Sequence, residues 1–291
     1  MKRAEIYRDG VTLCCLDGGE GDPVVLLHGL AGSAQEMLPT AESLIRRGHR
    51  VIAVDQRGHG RSTRRPADLS RQAYVQDVVA VIRTLTAGEP VSLVGQSMGG
   101  HTAMLVAADH PALVRRLVLL EAGVGGSSGE DYPAELEAWF ASWPVPFPGA
   151  AAAAEFLGST PIARAWLRDL EDRGDGLWPR FDADVMRNAI APVANAARWA
   201  EWQRITAPTL LVEGENGILP DPEVRRMREL RPGARHVVIP DAGHDAHLEQ
   251  HDAWVRALSD FLDDDDDDAT RRRDEATPRG DDATMREGGE R

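Results

Sequence analysis

The sequence predicts an α/β protein with a mostly parallel central sheet flanked by helices. Six short apolar runs alternate with helix-length segments between residues 23 and 240. Fully apolar strands of this kind are typical of a parallel sheet that helices cover on both faces. The runs are PVVLL, RVIAV, VSLVG, RLVLL, TLLVE and HVVIP. Ligands of such sheets bind beyond the carboxyl ends of the strands, so the chemistry is expected there.

Two segments depart from this alternation. Residues 6–16 contain two apolar runs around an Asp-Gly turn, which predicts an antiparallel hairpin ahead of the parallel strands. Between residues 123 and 206 the strand pattern stops and Ala-rich helical stretches are interrupted by prolines. We therefore expect a catalytic core formed by residues 1–122 and 207–262, with residues 123–206 as a helical lid insertion.

The insertion contains six of the seven tryptophans. Large aromatic residues at helical spacing usually form a core, and the functional alternative is that some of them line a substrate cleft. Both arrangements are compatible, and the composition suggests a substrate with an apolar group. The six are Trp139, Trp143, Trp166, Trp178, Trp199 and Trp202.

The charge and the chain termini limit the class of partner. The formal net charge is -14, which argues against nucleic acid because phosphate binding requires clustered basic side chains. Residues 263–291 contain 12 acidic residues and 6 arginines with few apolar residues, which predicts a disordered acidic tail. No stretch resembles a signal peptide or the roughly 18 apolar residues of a membrane span. We expect a cytoplasmic protein that acts on a small molecule.

The strongest chemical signal is the pentapeptide GQSMG at residues 95–99. It follows the apolar run VSLV directly and precedes the helical run HTAMLVAA, which is the context of a nucleophile elbow. A sharp turn from strand to helix exposes the serine, and small flanking residues let the backbone close that tightly. Ser97 is therefore the predicted nucleophile.

Three further motifs accompany the elbow, and together they resemble the α/β-hydrolase superfamily over residues 6–262. The resemblance implies a triad in the order serine, acid, histidine, with His244 as the base. It also implies an oxyanion hole made by the backbone amides of Leu30 and Met98. The motifs are HGL at residues 28–30, DQRGHGRS at residues 55–62 and DAGH at residues 241–244.

The position of His244 agrees with this role. It follows the apolar run HVVIP and a short turn, which places it on a loop at the carboxyl edge of the sheet, where a serine hydroxyl needs a neighbouring base. His247 and His251 are expected to begin the following helix and are weaker alternatives. The remaining histidines of the signature segments are expected to make structural hydrogen bonds, and they are His28, His59 and His101.

The acidic residue is where the sequence departs from the family pattern. The family commonly places aspartate three residues after the glycine that ends LLVEG, and this position is Gly217. The other placement known in the superfamily is the end of the strand after the elbow helix, where RRLVLLEAG ends in Glu121. We rank Glu121 first because a glutamate after an apolar strand requires a partner. Glu215 is the second choice, and Glu213 or the lack of a strong acid is the third.

These residues predict a two-step hydrolysis of a carboxylic ester through an acyl-enzyme on Ser97, without a cofactor or metal. A serine at the elbow excludes epoxide hydrolases and haloalkane dehalogenases, which resemble this fold but use a carboxylate nucleophile. The same triad would serve an amide, a lactone, a thioester or a carbon–carbon bond. The alternative from a different class is a ligand receptor that retains the fold without turnover.

Overall fold

A computed structural model describes residues 1–127 and 129–264 of the chain. Its central feature is an eight-stranded sheet in the order β1-β2-β4-β3-β5-β6-β9-β10. The strands from β4 to β10 in this order are parallel to one another, whereas β2 pairs antiparallel with both of its neighbours, β1 and β4. The predicted α/β fold with a mostly parallel sheet is confirmed. The predicted acidic tail lies outside the described residues from residue 265 onward.

Each predicted apolar run forms a strand. The sheet strands are β1 (Lys2–Arg8), β2 (Val11–Gly18), β3 (Pro23–Leu27), β4 (Arg50–Val54), β5 (Val91–Gln96), β6 (Val114–Leu120), β9 (Thr209–Gly214) and β10 (Arg235–Ile239). Two short strands, β7 (Glu171–Asp172) and β8 (Leu177–Trp178), pair separately. The helices are α1 (Leu38–Ile45), α2 (Arg71–Leu85), α3 (Met98–Asp109), α4 (Tyr132–Ala141), α5 (Ala150–Leu157), α6 (Pro161–Asp169), α7 (Ala183–Ala194), α8 (Trp199–Arg204), α9 (Asp221–Leu230), α10 (Ala246–Glu249) and α11 (His251–Leu262).

The alternation of side chains along the strands builds a separate core on each face of the sheet. In β3, Val25 and Leu27 face a core shared with α2 and α3, whereas Val24 and Leu26 face a core shared with α1 and α11. Successive strand residues point to opposite faces, so a strand covered on both sides must be apolar throughout. This explains why the six runs lack the polar alternation of a half-exposed strand.

The segment between β6 and β9 contains the helices α4 to α8. Its aromatic side chains pack mainly on one another through ring contacts that involve Trp139, Phe140, Trp143, Phe147, Phe156, Trp166 and Phe181. Trp202 of α8 is fully buried in the core that α3 shares with the sheet. The tryptophans of this segment therefore act largely as packing residues.

None of the helices in the described ranges combines the length and the apolar character that crossing a membrane requires.

Candidate active site

The elbow between β5 and α3 holds Ser97 in a strained conformation. Its φ is 50° and its ψ is -120°, a backbone geometry that L-residues rarely adopt. A Cβ on Gly95 would lie 2.4 Å from the carbonyl oxygen of Gly99, and a Cβ on Gly99 would lie 2.4 Å from the carbonyl oxygen of His28. Only glycine fits at both positions, so the two motif glycines permit the turn that presents Ser97 at the carboxyl end of β5.

His244 lies on the loop after β10 and is held against the elbow. The side-chain amide of Gln96 donates a hydrogen bond of 3.2 Å to the carbonyl oxygen of His244. The imidazole is about a quarter exposed, and the hydrogen bonds of the described residues include none between it and Ser97. Catalytic hydrogen bonds are often long before substrate binds. The role of Gln96 was not anticipated, although its position inside the motif was a signal for it.

Glu121 meets His244 from the end of β6. Its side chain is completely buried, and its Oε2 lies 3.3 Å from Nδ1 of His244. The carboxylate also accepts backbone hydrogen bonds of 2.8 Å from Gly214 and 2.9 Å from Ile218. These three donors compensate the removal of the charge from water. Because the carboxylate is only an acceptor, this contact favours the tautomer of His244 with its proton on Nδ1 and an acceptor nitrogen at Nε2.

The space for Glu121 is provided by Gly217, the position at which the family pattern leads one to expect aspartate. A Cβ on Gly217 would lie 2.0 Å from Oε1 and 2.6 Å from Oε2 of Glu121. The carboxylate of Glu121 thus occupies the space next to Gly217 that a side chain would otherwise fill. The glycine after β9 and the glutamate after β6 therefore depend on each other, because any side chain at position 217 would collide with the carboxylate of Glu121.

The other two acidic candidates have different partners. Glu215 is exposed and accepts a hydrogen bond of 3.0 Å from the backbone N–H of Asp241. Glu213 pairs with His236 of the neighbouring strand. The structure brings Glu121 together with His244 and places neither alternative beside that imidazole.

The backbone amides of Leu30 and Met98 lie on the two segments that meet at Ser97. Met98 is the first residue of α3, so its N–H has no acceptor within the helix. A Cβ on Gly29 would lie 3.3 Å from Cβ of Ser97, which shows how closely the loop before Leu30 approaches the elbow. Among the hydrogen bonds of residues 1–127 and 129–264, none is donated by the N–H of Leu30 or of Met98.

Buried hydrogen bonds hold this loop in place. Nδ1 of His28 lies 2.7 Å from the carbonyl oxygen of Gly29, and its Nε2 accepts a hydrogen bond of 3.0 Å from the backbone of Gln56. Ala31 adopts a positive φ of 59°, and its carbonyl oxygen accepts a hydrogen bond of 3.0 Å from Nε1 of Trp166 in α6. The insertion therefore contacts the loop that carries the Leu30 amide.

Other histidines considered from the sequence make structural contacts. His247 is buried and lies 3.0 Å from Glu36, and His251 lies 3.2 Å from the hydroxyl of Ser43. Nδ1 of His59 lies 2.9 Å from a backbone carbonyl oxygen, and burial lowers the pKa of His59 to about 3. None of the three lies beside Ser97.

A cleft with a volume of about 160 Å³ opens beside Ser97. Its apolar wall includes Met98, Ile190, Val193 and Leu219. The tryptophans of the insertion are absent from the described lining, so the aromatic cluster does not form this wall. Within the described ranges, no group of three or more His, Cys, Asp or Glu side chains is arranged to hold a metal ion.

The sheet, the elbow and the histidine loop define an α/β hydrolase. A family model described as alpha/beta hydrolase fold matches residues 22–250, and the chain belongs to this family. It is 32% identical over 260 residues to an sn-1-specific diacylglycerol lipase of Mus musculus, with coverage of 85% of this chain and 83% of the relative. It is 26% identical over 290 residues to a 2-(acetamidomethylene)succinate hydrolase of Mesorhizobium japonicum, with coverage of 90% and 95%.

A solved structure shows the same fold over nearly the whole described chain. The crystal structure of E-2-(acetamidomethylene)succinate hydrolase aligns with a TM-score of 0.80 and 24% identity. The alignment covers 90% of this chain and 99% of the other. The names of these relatives give different substrates, so the family identifies a hydrolase and leaves the bond to be argued from the site.

Proposed function

We propose that this hydrolase cleaves a carboxylic ester through an acyl-enzyme on Ser97. His244 is the general base, Glu121 orients it, and the amides of Leu30 and Met98 form the oxyanion hole. The proposal is carried by the contact between the completely buried Glu121 carboxylate and Nδ1 of His244. This contact aligns a base on a loop that is itself bonded to the elbow.

In the first step, Nε2 of His244 takes the proton of the Ser97 hydroxyl as Oγ attacks the carbonyl carbon. The carbonyl oxygen becomes an oxyanion and accepts hydrogen bonds from the two free amides, each of which contributes about 3 kcal/mol to the transition state. Glu121 stabilises the imidazolium. Collapse of the tetrahedral intermediate breaks the bond to the alcohol, which leaves with the proton from His244.

In the second step, water replaces the alcohol. His244 takes a proton from water as its oxygen attacks the acyl carbon, and the second tetrahedral intermediate releases the carboxylic acid and regenerates Ser97. Every proton passes through one imidazole, so this route uses neither a metal nor a cofactor. Its substrate is a small molecule whose apolar group contacts the cleft wall beside Met98 and Ile190.

The test combines covalent labelling with turnover of p-nitrophenyl butanoate. We expect a fluorophosphonate probe to add one label per chain, and an ester to release a burst of nitrophenol when deacylation limits the rate. Ser97→Ala should abolish both. Ser142→Ala is a matched control because Ser142 is exposed and its hydroxyl donates only to the carbonyl oxygen of Trp139 among the described contacts. It should retain both signals.

The acid is tested by Glu121→Gln against Glu215→Gln. The carboxylate of Glu121 accepts hydrogen bonds on both oxygens, so a glutamine at position 121 must turn its NH₂ group toward a backbone N–H. A glutamine at position 215 can still accept the hydrogen bond from Asp241. We expect a loss of about 10⁴ in kcat for the first variant and less than about threefold for the second. The opposite ranking would assign the acid to Glu215.

Two outcomes separate the alternatives. Faster turnover of a matched p-nitroanilide, lactone or thioester, abolished by Ser97→Ala, would retain the triad and replace the ester as substrate. Saturable binding of esters without product, together with an unlabelled Ser97, would contradict the enzyme and favour a ligand receptor.

A further inference from the structure

The cleft beside Ser97 contains a polar group that the proposed reaction does not use. His101 lies in α3 one turn after the elbow, and its backbone N–H donates a hydrogen bond of 3.0 Å to the carbonyl oxygen of Ser97. Ser97 and His101 both line this cleft. The His101 side chain is only 1% exposed and lines the cleft. It therefore flanks the position of a bound acyl group.

Both ring nitrogens of His101 lack a hydrogen-bond partner among the described residues. The carbonyl group of Val124 lies close enough to favour protonation slightly, but it forms no hydrogen bond of acceptable geometry. Buried polar side chains are nearly always hydrogen-bonded, because an unpaired donor or acceptor costs about 1–3 kcal/mol. A buried imidazole without a partner that lines a substrate cleft indicates a group on the ligand.

The charge around His101 indicates what kind of group this is. Burial holds the pKa of His101 well below its usual value, and the guanidinium groups of Arg71 and Arg198 lower it further. The ring is therefore neutral near pH 7, with one N–H donor and one acceptor nitrogen. The carboxylates of Glu121 and Glu223 line the same cleft and disfavour an anionic acyl group. An uncharged oxygen satisfies these conditions.

We propose that the acyl group of the substrate carries an uncharged hydroxyl or keto oxygen two to three carbons from the scissile carbonyl, and that His101 binds it. This inference rests on the proposed ester hydrolysis at Ser97. His101 is thus a specificity-determining residue, and the substrate is a hydroxy or oxo acid ester whose remaining acyl atoms contact Ile190, Val193 and Leu219.

The test uses two isosteric pairs of p-nitrophenyl esters. In the first pair, 3-hydroxybutanoate is compared with 3-methylbutanoate, and in the second, 4-oxopentanoate is compared with 4-methylpentanoate. The measured quantity is the ratio of kcat/KM within a pair, divided by the ratio of the hydroxide-catalysed rates. We expect the wild type to favour the oxygenated member of at least one pair by about tenfold, the effect of one buried hydrogen bond.

Two variants identify the residue responsible. His101→Phe preserves a buried ring and should lower the preference about tenfold, whereas Tyr132→Phe should leave it unchanged. Tyr132 is the matched control because its ring also lines the cleft. A preference that moves with Tyr132 and not with His101 would overturn the assignment. If His101→Phe does not fold, the wild-type ratios and Tyr132→Phe still decide the proposal, because equal corrected rates within both pairs, or a preference that is lost with Tyr132→Phe, would overturn it.

The failure of this inference differs from failure of the proposed function. Ser97-dependent turnover of all four esters with equal corrected rates within each pair would overturn the role of His101 and leave the esterase intact. Absence of turnover on all four, with Ser97 unlabelled, would overturn both.

Discussion

Moving the acid from Glu121 to position 217 tests whether the two positions share one site. Glu121 has a positive φ of 47°, so Glu121→Gly is unstrained in the backbone while it removes the carboxylate. Gly217→Asp then places a side chain in the vacated space, because its Cβ would lie 2.5 Å from the former position of the Glu121 carboxyl carbon. The double variant returns a carboxylate to the neighbourhood of His244.

The expected magnitudes follow from the contacts. Glu121→Gly leaves three N–H donors without their acceptor, those of Gly214, Ile218 and His244, and should lower kcat about 10⁴-fold, or about 5.4 kcal/mol. Adding Gly217→Asp should recover about 100-fold, since a shorter side chain reaches the same donors with imperfect geometry. Gly217→Asp alone should destabilise the fold by about 3 kcal/mol, because its Cβ would lie 2.0 Å from Glu121 Oε1.

The assay is kcat on p-nitrophenyl butanoate for the wild type, the three variants and Glu121→Gly with Gly217→Asn as an isosteric neutral control. Thermal unfolding of each variant separates lost catalysis from lost folding. The reasoning would be refuted if Glu121→Gly retained more than a tenth of the wild-type kcat. It would equally be refuted if the aspartate double variant were no faster than the asparagine one.

Three other outcomes are expected elsewhere in the molecule. Trp166→Phe preserves the aromatic packing but loses the hydrogen bond to the carbonyl oxygen of Ala31. We expect kcat to fall about threefold to tenfold at a nearly constant thermal midpoint. An unchanged kcat would contradict a role for this bond in catalysis. Gly99→Ala should lower the thermal midpoint by more than about 5 °C, because its Cβ would lie 2.4 Å from a backbone oxygen, and a shift below about 1 °C would contradict that contact. Burial lowers the pKa of His59 from 6.5 to about 3, so the unfolded chain binds the proton first and stability is lost as pH falls from 6.5 toward 3. Urea unfolding should show that His59→Gln reduces the loss of stability between pH 6.5 and pH 4.5 by about 2 kcal/mol, and equal losses would contradict the shift.

The parallel sheet was predictable because its signal is local. Each strand is buried on both faces, so a run such as residues 23–27 is apolar without interruption. The hairpin was equally readable, since Asp9 and Gly10 both adopt the positive φ that an Asp-Gly turn favours. Gly95 could also be assigned from the motif alone, because the close approach that it permits is to Gly99, within the same five residues. Gly99 instead permits the approach of His28, which is distant in sequence.

The arrangement of the acid was only partly predictable. Glu121 was conspicuous as a charge at the end of an apolar strand, but its partners are distant in sequence. They are Gly214 at the end of β9, Ile218 in the loop that follows, and His244. The meaning of Gly217 depends on the pairing of β6 with β9, which no local pattern encodes. The role of Glu121 as the triad acid stays a prediction until the variants are measured.

The tryptophans illustrate a second limit of the sequence. Helical spacing indicated burial, but whether a ring faces its own segment, the main core or the substrate depends on how the helices dock. Trp143 joins the aromatic cluster and Trp202 joins the main core, whereas the cleft is lined by the aliphatic side chains of Ile190 and Val193.

The loop after β9 holds Glu121 with its backbone alone. Ile218 donates its N–H to the carboxylate while its side chain, together with those of Leu219 and Pro220, lines the cleft. Main-chain atoms are the same in every L-residue except proline, so Ile218 and Leu219 can be exchanged without altering the donor that the acid requires. Mutagenesis libraries confined to these two positions should therefore vary substrate preference while the contact between Glu121 and His244 keeps its geometry, a separation that an aspartate on the same loop would not offer.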